Sequence, residues 1–336
     1  MHFAPDARDR AARDVEIRVR ESATPYAQLS PDIVLDAIAA AGSIPDGRLL
    51  ALGSYENRVY QVGVEDGPAL VAKFYRPGRW SDAAIAEDHA FALELADAEL
   101  PMVAPIVIGG RTLLTHAGFR YALYPRRGGR APELESADHL AWMGRLLARM
   151  HGVGARSRFR ERGNVDANTF VRDAARAVLG SALLPARYFD VYRSRTSALA
   201  DLIDERFATV EPLARIRLHG DCHAGNVLWT DTGPHFVDLD DARMGPAVQD
   251  LWMLAQSPRA MAALLEGYGE FRDFDPAELA LVEPLRIMRQ VHWAGWVATR
   301  WDDPAFPRAF PQVGEVRWWE QHLTDLAEAE SQLRDE

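Results

Sequence analysis

The spacing of apolar residues changes character once along this 336-residue chain, and that change restricts the fold more than any other feature. Up to residue 125 most apolar runs are short: Leu49 to Leu52, Arg58 to Val64, Ala69 to Tyr75, Ile106 to Ile108 and Tyr121 to Tyr124. Turn residues such as Glu65-Asp66-Gly67-Pro68 separate them, which is the pattern of strands joined as a meander. Two helices interrupt it. Ser30-Pro31-Asp32 signals a start for one that ends near Gly42, and Ser81-Asp82 opens another carrying Ile85, Phe91, Leu93 and Leu95. Pro125-Arg126-Arg127-Gly128-Gly129-Arg130 then breaks the series. Beyond it, helical periodicity dominates over 136–152, 168–179, 185–208, 246–269 and 276–300.

Strands first and helices after predict an α+β chain of two lobes with a cleft between them. Residues 29–125 form the N-terminal lobe around an antiparallel sheet of five strands, and 126–336 the larger, mostly helical C-terminal lobe. Residues 1–28 alternate Arg with Asp and Glu and hold few large apolar groups, so a flexible extension, dispensable for catalysis, is expected there.

Composition narrows the class of partner. No stretch approaches the roughly 20 apolar residues of a membrane span, so no membrane partner is expected. A formal net charge of -11 argues against a generic nucleic-acid binder. Cys222 is the single cysteine, which excludes an intramolecular disulfide. With no apolar core of a signal peptide, it predicts a reducing cytoplasm. A monomer is expected.

Chemistry concentrates in Leu218-His219-Gly220-Asp221-Cys222-His223-Ala224-Gly225-Asn226 and, one short hairpin later, Phe236-Val237-Asp238-Leu239-Asp240-Asp241. The spacing of Asp221, Asn226 and Asp238 is that of a phosphoryl-transfer site, with glycine at 220 where arginine is usual. Such transfer requires a hydroxyl to be aimed and a metal to be held against phosphate oxygens. Asp221 is the candidate proton acceptor. Asn226 and Asp238 offer the hard oxygens that Mg²⁺ prefers. One cysteine beside His223 falls short of a zinc site, which needs three or four ligands. His219 and His223 are expected to brace the loop by hydrogen bonds.

The N-terminal lobe carries the complementary pieces. Gly53-Ser54-Tyr55-Glu56-Asn57-Arg58 stands where a loop would cover ATP phosphates. It has one glycine, so backbone amides, the Ser54 hydroxyl and the Asn57 amide are the expected contacts. Lys73, inside an apolar strand, must find an anion and fits the lysine that pairs the α and β phosphates. Glu87 is chosen as its carboxylate partner, with Asp88 and Glu94 as competitors. Backbone groups around Leu123 to Arg126 are placed to meet an adenine edge.

On these motifs the chain resembles the kinases related to aminoglycoside and choline phosphotransferases. Further landmarks are Arg58-Val59-Tyr60-Gln61, Lys73-Phe74-Tyr75-Arg76-Pro77, Gly245-Pro246, Gln249-Asp250-Leu251-Trp252-Met253-Leu254, and Arg300-Trp301 with Asp303-Pro304-Ala305-Phe306-Pro307. From about residue 29 to 320 it is most similar to a bacterial branch of serine/threonine protein kinases linked to envelope or oxidative stress. The resemblance implies a protein-kinase-like fold, with ATP and Mg²⁺ as cofactors. It implies that Asp221 accepts the proton and that Asp238 and Asn226 bind metal. It further implies that Ser54 and Lys73 contact ATP, and that Asp250 steadies the catalytic loop near His219 and Gly220. Asp240 and Asp241 stand where many kinases have Phe-Gly.

The acceptor stays open between a Ser/Thr protein and a small alcohol such as an aminoglycoside, choline or homoserine. Resemblance favours a protein, while the short stretch from Ala242 to Pro246 favours a small molecule. A silent nucleotide-sensing module is weakened by the presence of Lys73, Asp221, Asn226 and Asp238 together. Trp293, Trp296, Trp301, Trp318 and Trp319 are expected mainly as core, with an acceptor groove as the alternative. Asp302, Asp303 and Glu315 nearby suggest attraction of a cation.

Overall fold

A computed structural model describes residues 25–255 and 257–335. Most of the extension expected over 1–28 lies outside the described residues. Its end is anchored: Tyr26 is buried, donates its hydroxyl to the carbonyls of Glu56 and Phe74, and stacks under Arg58.

Strands β1 (Pro45–Leu52), β2 (Arg58–Val64), β3 (Leu70–Phe74), β4 (Leu114–His116) and β5 (Phe119–Pro125) form one antiparallel sheet, ordered β1-β2-β3-β5-β4. Five strands were expected, but one differs. The Ile106 to Ile108 run makes only isolated bonds, Ile106 N to Leu123 O and a bridge from Ile108 to Arg111. Gly109 and Gly110, both at positive φ, turn the chain away at once, and pairing resumes at Leu114.

Helix α1 (Pro31–Ala40) is capped by Ser30 and buries Val34, Ala37 and Ile38 against Val62, Ala72, Phe74, Tyr121 and Leu123. Helix α2 (Asp82–Asp97), capped by Ser81, reaches further. Its Phe91, Ala92 and Leu95 share a core with Leu140, Met143, Leu147 and Met150 of α3 (Ala137–Gly154). That shared core couples the sheet to the helical lobe.

The C-terminal lobe adds α4 (Ala174–Leu179), α5 (Phe189–Thr209), α6 (Val248–Trp252), α7 (Pro258–Gly269), α8 (Val282–Ala298), α9 (Ala305–Ala309) and α10 (Val316–Asp335). The helix expected over 246–269 is two, because Ser257-Pro258 starts a new one whose cap accepts from Ala260 N. The stretches expected over 168–179 and 276–300 open instead as a π-helical turn, Asn168–Asp173, and a 3-10 turn, Pro276–Leu281. Trp319 is core as expected, and Trp293, Trp296, Trp301 and Trp318 pack against that core partly buried; Trp293 and Trp296 also line a cleft. Among the described residues no helix is long and apolar enough to cross a membrane.

Two short ribbons carry the segment with Asp221, Asn226 and Asp238. Strand β6 (Ile216–Arg217) pairs with β9 (Met244–Gly245), and β7 (Val227–Thr230) with β8 (Gly233–Phe236). The 219–226 loop therefore emerges between β6 and β7, and Asp238 between β8 and β9. Phe236 exchanges backbone bonds with Pro101 and Val103, and Trp229 with Arg130. The segment that follows α2 and the one that leads from β5 to α3 are thus both stitched to the β7–β8 hairpin.

Candidate active site

The catalytic loop is held from behind by Asp250 on α6. Its two carboxylate oxygens accept from the backbone N–H of His219 and Gly220, each at 2.8 Å, and His151 Nε2 lies 3.1 Å from one of them. His151 Nδ1 continues to the Tyr268 hydroxyl at 2.9 Å. Gln249 donates to the Gly220 carbonyl, and the His219 ring reaches Val237 O at 2.9 Å. Both peptide faces of Gly220 are thereby fixed. Gly220 has φ +84°, and a Cβ there would run into the Asp241 carbonyl. That close approach explains why glycine replaces the usual arginine.

Asp221 points from this loop into the cleft. Its carboxylate meets Arg289 Nη1 from α8 and lies 3.4 Å from His223 Nε2. Burial alone would raise its pKa, but His223 and Arg289 outweigh that and hold the carboxyl below its usual range. Asn226 donates its amide to Asp221 O at 2.9 Å, and the His223 ring accepts from Gly225 N. Cys222 is fully buried, and burial pushes its thiol up, which favours the neutral form over the thiolate.

Asp238 adopts the left-handed region, φ +67° and ψ 73°, uncommon for a residue with a Cβ. The turn after it is over-determined by Arg162. This buried guanidinium donates to the carbonyls of Leu239, Asp240, Ala242 and Ala84, and to Asp88 Oδ2 at 2.9 Å. Lys73 Nζ stands 2.7 Å from Asp238 and 3.2 Å from Asp240. Desolvation opposes its charge, yet the two carboxylates win and raise its pKa. Asp240 is buried and also bound by Arg79 and Asn57 Nδ2, while Arg79 reaches Asp241 at 2.7 Å.

Two expected partners lie elsewhere. Glu87 does not pair with Lys73: its carboxylate accepts the backbone N–H groups of Arg160, Glu161 and Arg162. Glu94 pairs with Arg217. Seven residues are two helical turns, so Glu87 and Glu94 share a face, whereas Asp88 lies three residues after Ile85 on the buried side. Asp88 is the acid of α2 that lines the cleft, and burial pushes it up to about 7 despite Arg162. The Asn57 amide is likewise taken, by Asp240 and by Arg76 N, and its own N–H bonds Ser54 Oγ at 3.3 Å. Arg289, Arg79 and Arg162 had not been singled out from sequence, where no local spacing marks them.

Ser54, Asn57, Lys73, Asp88, Asp221, Asn226 and Asp238 border one cleft of about 810 Å³. Val59, Val71, Met102, Tyr124, Leu228 and Val237 add apolar walls. Such a volume suits a single organic ligand with an apolar body and an anionic end.

A model of the phosphotransferase enzyme family matches residues 48–282. Stress response kinase A of Escherichia coli strain K12 is 43% identical over 317 residues, covering 93% of this chain and 96% of that protein. The serine/threonine protein kinase RdoA of Salmonella typhimurium strain LT2 is 42% identical over 315 residues, covering 92% and 95%. An amicoumacin kinase solved with AMP-PNP and Ca²⁺ shares the fold, with a TM-score of 0.68 at 18% identity and 95% of each chain covered. With the family model spanning most of the chain and both bacterial relatives nearly all of it, this chain belongs to the phosphotransferase enzyme family.

Proposed function

We propose that the chain transfers the γ-phosphoryl group of ATP to a serine or threonine hydroxyl of a protein, with Mg²⁺, as a cytoplasmic enzyme of stress protection. The names of its relatives supply the acceptor and the setting. The observation that carries the chemistry is that Lys73, Asp221, Asn226 and Asp238 border one cleft. In this reading 29–125 is the nucleotide-binding lobe and 126–336 the catalytic one.

Asp221 accepts the proton of the acceptor hydroxyl and aims its oxygen at the γ phosphorus, while the bond to the β–γ bridging oxygen breaks and ADP leaves. Lys73, already beside Asp238, turns its charge to the phosphates, and Ser54 lies at the loop above them. The residues present fit Mg²⁺. Asn226 spends its NH₂ on a backbone carbonyl, which leaves Oδ1 to accept, and Asp238 is 46% exposed. Among the described residues no group of three carboxylate, imidazole or thiol ligands builds a closed cage, as suits an ion that keeps waters and phosphate oxygens. Bound there, Mg²⁺ would neutralise the charge developing on the phosphates.

A second reading, a small-alcohol kinase, is favoured by the direct run from Asp241 into β9 and α6, which leaves no long segment to dock a peptide. Radiolabelled γ-phosphate transfer by wild type and Asp221→Ala separates the two. A loss of about 10²–10⁴-fold in labelling of Ser or Thr, with nucleotide binding retained, is expected. Label only on a small alcohol overturns the protein acceptor, and label independent of Asp221 overturns the mechanism.

A further inference from the structure

Cationic groups along the cleft differ in exposure and in how many carboxylates hold each of them. At the nucleotide end Lys73 is held by Asp238 and Asp240, and Arg79 by Asp240 and Asp241. On the other side of Asp221, α8 presents Arg289 and, one turn earlier, Arg286, with side chains 45% and 55% exposed. Both line a second hollow of about 400 Å³, which shares Arg289 and Trp293 with the main cleft and so continues it past Asp221. Trp252, Trp318, His322 and Asp325 are among its other walls. Two acids stand here as well: Asp325 lines the hollow and accepts from the neutral Gln321 amide at 2.7 Å, and Glu283 pairs with Arg286 at 3.2 Å, so two exposed guanidiniums face two carboxylates besides Asp221. His322, which burial holds at about 4, adds no charge at neutral pH.

Arg289 occupies one oxygen of the Asp221 carboxylate, the group that an acceptor hydroxyl must reach in this reading. When the hydroxyl takes that place, the guanidinium loses its partner in a partly desolvated site. A carboxylate or phosphate next to the hydroxyl replaces it, offering two oxygens to the forked donors of the guanidinium. A cationic acceptor instead sets like charge against Arg289. Asp302, Asp303 and Glu315 do not offset this, since none lines either hollow, and Asp303 is buried on Arg76 and Arg58.

Resting on the kinase reading above, we propose that Arg289 and Arg286 select an anionic acceptor: a Ser or Thr hydroxyl flanked by Asp or Glu carboxylates. The attraction suggested by the acidic residues near 303 is thereby reversed in sign.

The test uses the full chain with Mg²⁺ and labelled ATP on three peptides that differ only in the residues flanking one Ser: acidic, neutral or basic. The expected order of kcat/KM is acidic, neutral, basic, with about tenfold or more between the extremes, because an attractive close contact gives way to a repulsive one. Arg286→Glu lowers or inverts the acidic-to-basic ratio, and Arg286→Lys keeps it. Peptides labelled without preference, or with a basic preference, overturn the inference and leave the kinase reading standing. So does a ratio that Arg286→Glu does not move. If no peptide is labelled, the protein acceptor falls, and glycerate is compared with choline. Preference for glycerate keeps the anionic selection, whereas preference for choline, or label on neither, ends it.

Discussion

The two sides of the cleft are held by different forces. The catalytic loop is fixed through its backbone: Asp250 accepts from His219 and Gly220, 31 and 30 positions away, and Gln249 donates to the Gly220 carbonyl. The facing hairpin over 53–58 is fixed through charge. Glu56, at the tip of that hairpin, meets Arg76 and reaches across 244 positions to Arg300, with Trp296 Nε1 donating to the same carboxylate. Arg76 and Arg58 go on to Asp303, and Arg79 to Asp240 and Asp241. A backbone-anchored loop tolerates variety in its own side chains. A buried charge network does not, because removing one member strands the rest without compensation.

That contrast breaks most visibly at Asp250. Asp250→Ala leaves two buried N–H groups and His151 without an acceptor, an expected loss of about 3–5 kcal/mol in unfolding free energy together with most phosphoryl transfer. Denaturant titration measures the first and labelled ATP the second. A variant with wild-type stability and turnover would mean the loop is held by something other than its backbone.

Glu56→Gln should cost less, about 1.5–3 kcal/mol, because the amide keeps an acceptor and the shape but not the charge. Its signature is a raised KM for ATP with kcat little changed, since the loop shifts while Asp221 stays. An unchanged KM would show that the charge network does not position the loop.

Acidity acts through a third set of groups. Burial holds His89, His292 and His322 down, to about 3, 4 and 4, so the stability they contribute is complete above the ordinary histidine pKa. It is lost as pH falls toward those lowered values. Asp88 and Glu278, raised by burial to about 7, act in the opposite sense: their contribution is complete at low pH and lost as pH rises through 7. Three groups against two make the unfolding midpoint fall modestly between about pH 6.5 and 5. His322→Gln should flatten that slope, and a midpoint that instead rises on acidification would reverse the assignment.

The smallest effect is expected at Ser81, which belongs to neither network. Ser81→Ala removes the cap that accepts Ala84 N and costs about 1 kcal/mol. It should leave both KM values alone. A change in KM for ATP would tie the start of α2 to the charge network after all.

How far each element could be read in advance follows the same division. Strands β2, β3 and β5 stood out because alternation and turn residues are local signals, and Asp221, Asn226 and Asp238 because their spacing is. Asp88 was within reach of a stricter helical count from Ile85. Strand β4 was not: Ile106 to Ile108 is the more apolar run, and two glycines at positive φ, visible only as conformation, deny it a partner. Asn57 was read as a polar hairpin tip facing phosphate, yet both ends of its amide are consumed by Asp240 and Arg76, each remote in sequence or across the turn.

The sequence by itself determined the order of the lobes, the catalytic loop and the strand that carries Lys73, because each depends on neighbours a few residues away or on a repeating period. Tertiary structure alone decided who pairs with whom: Arg162 under the Asp238 turn, Arg289 on Asp221, and Glu56 between Arg76 and Arg300. Coulomb attraction and hydrogen bonding act over a few ångströms of space. Separations of up to 245 positions along the chain leave no periodic trace by which such partners can be found.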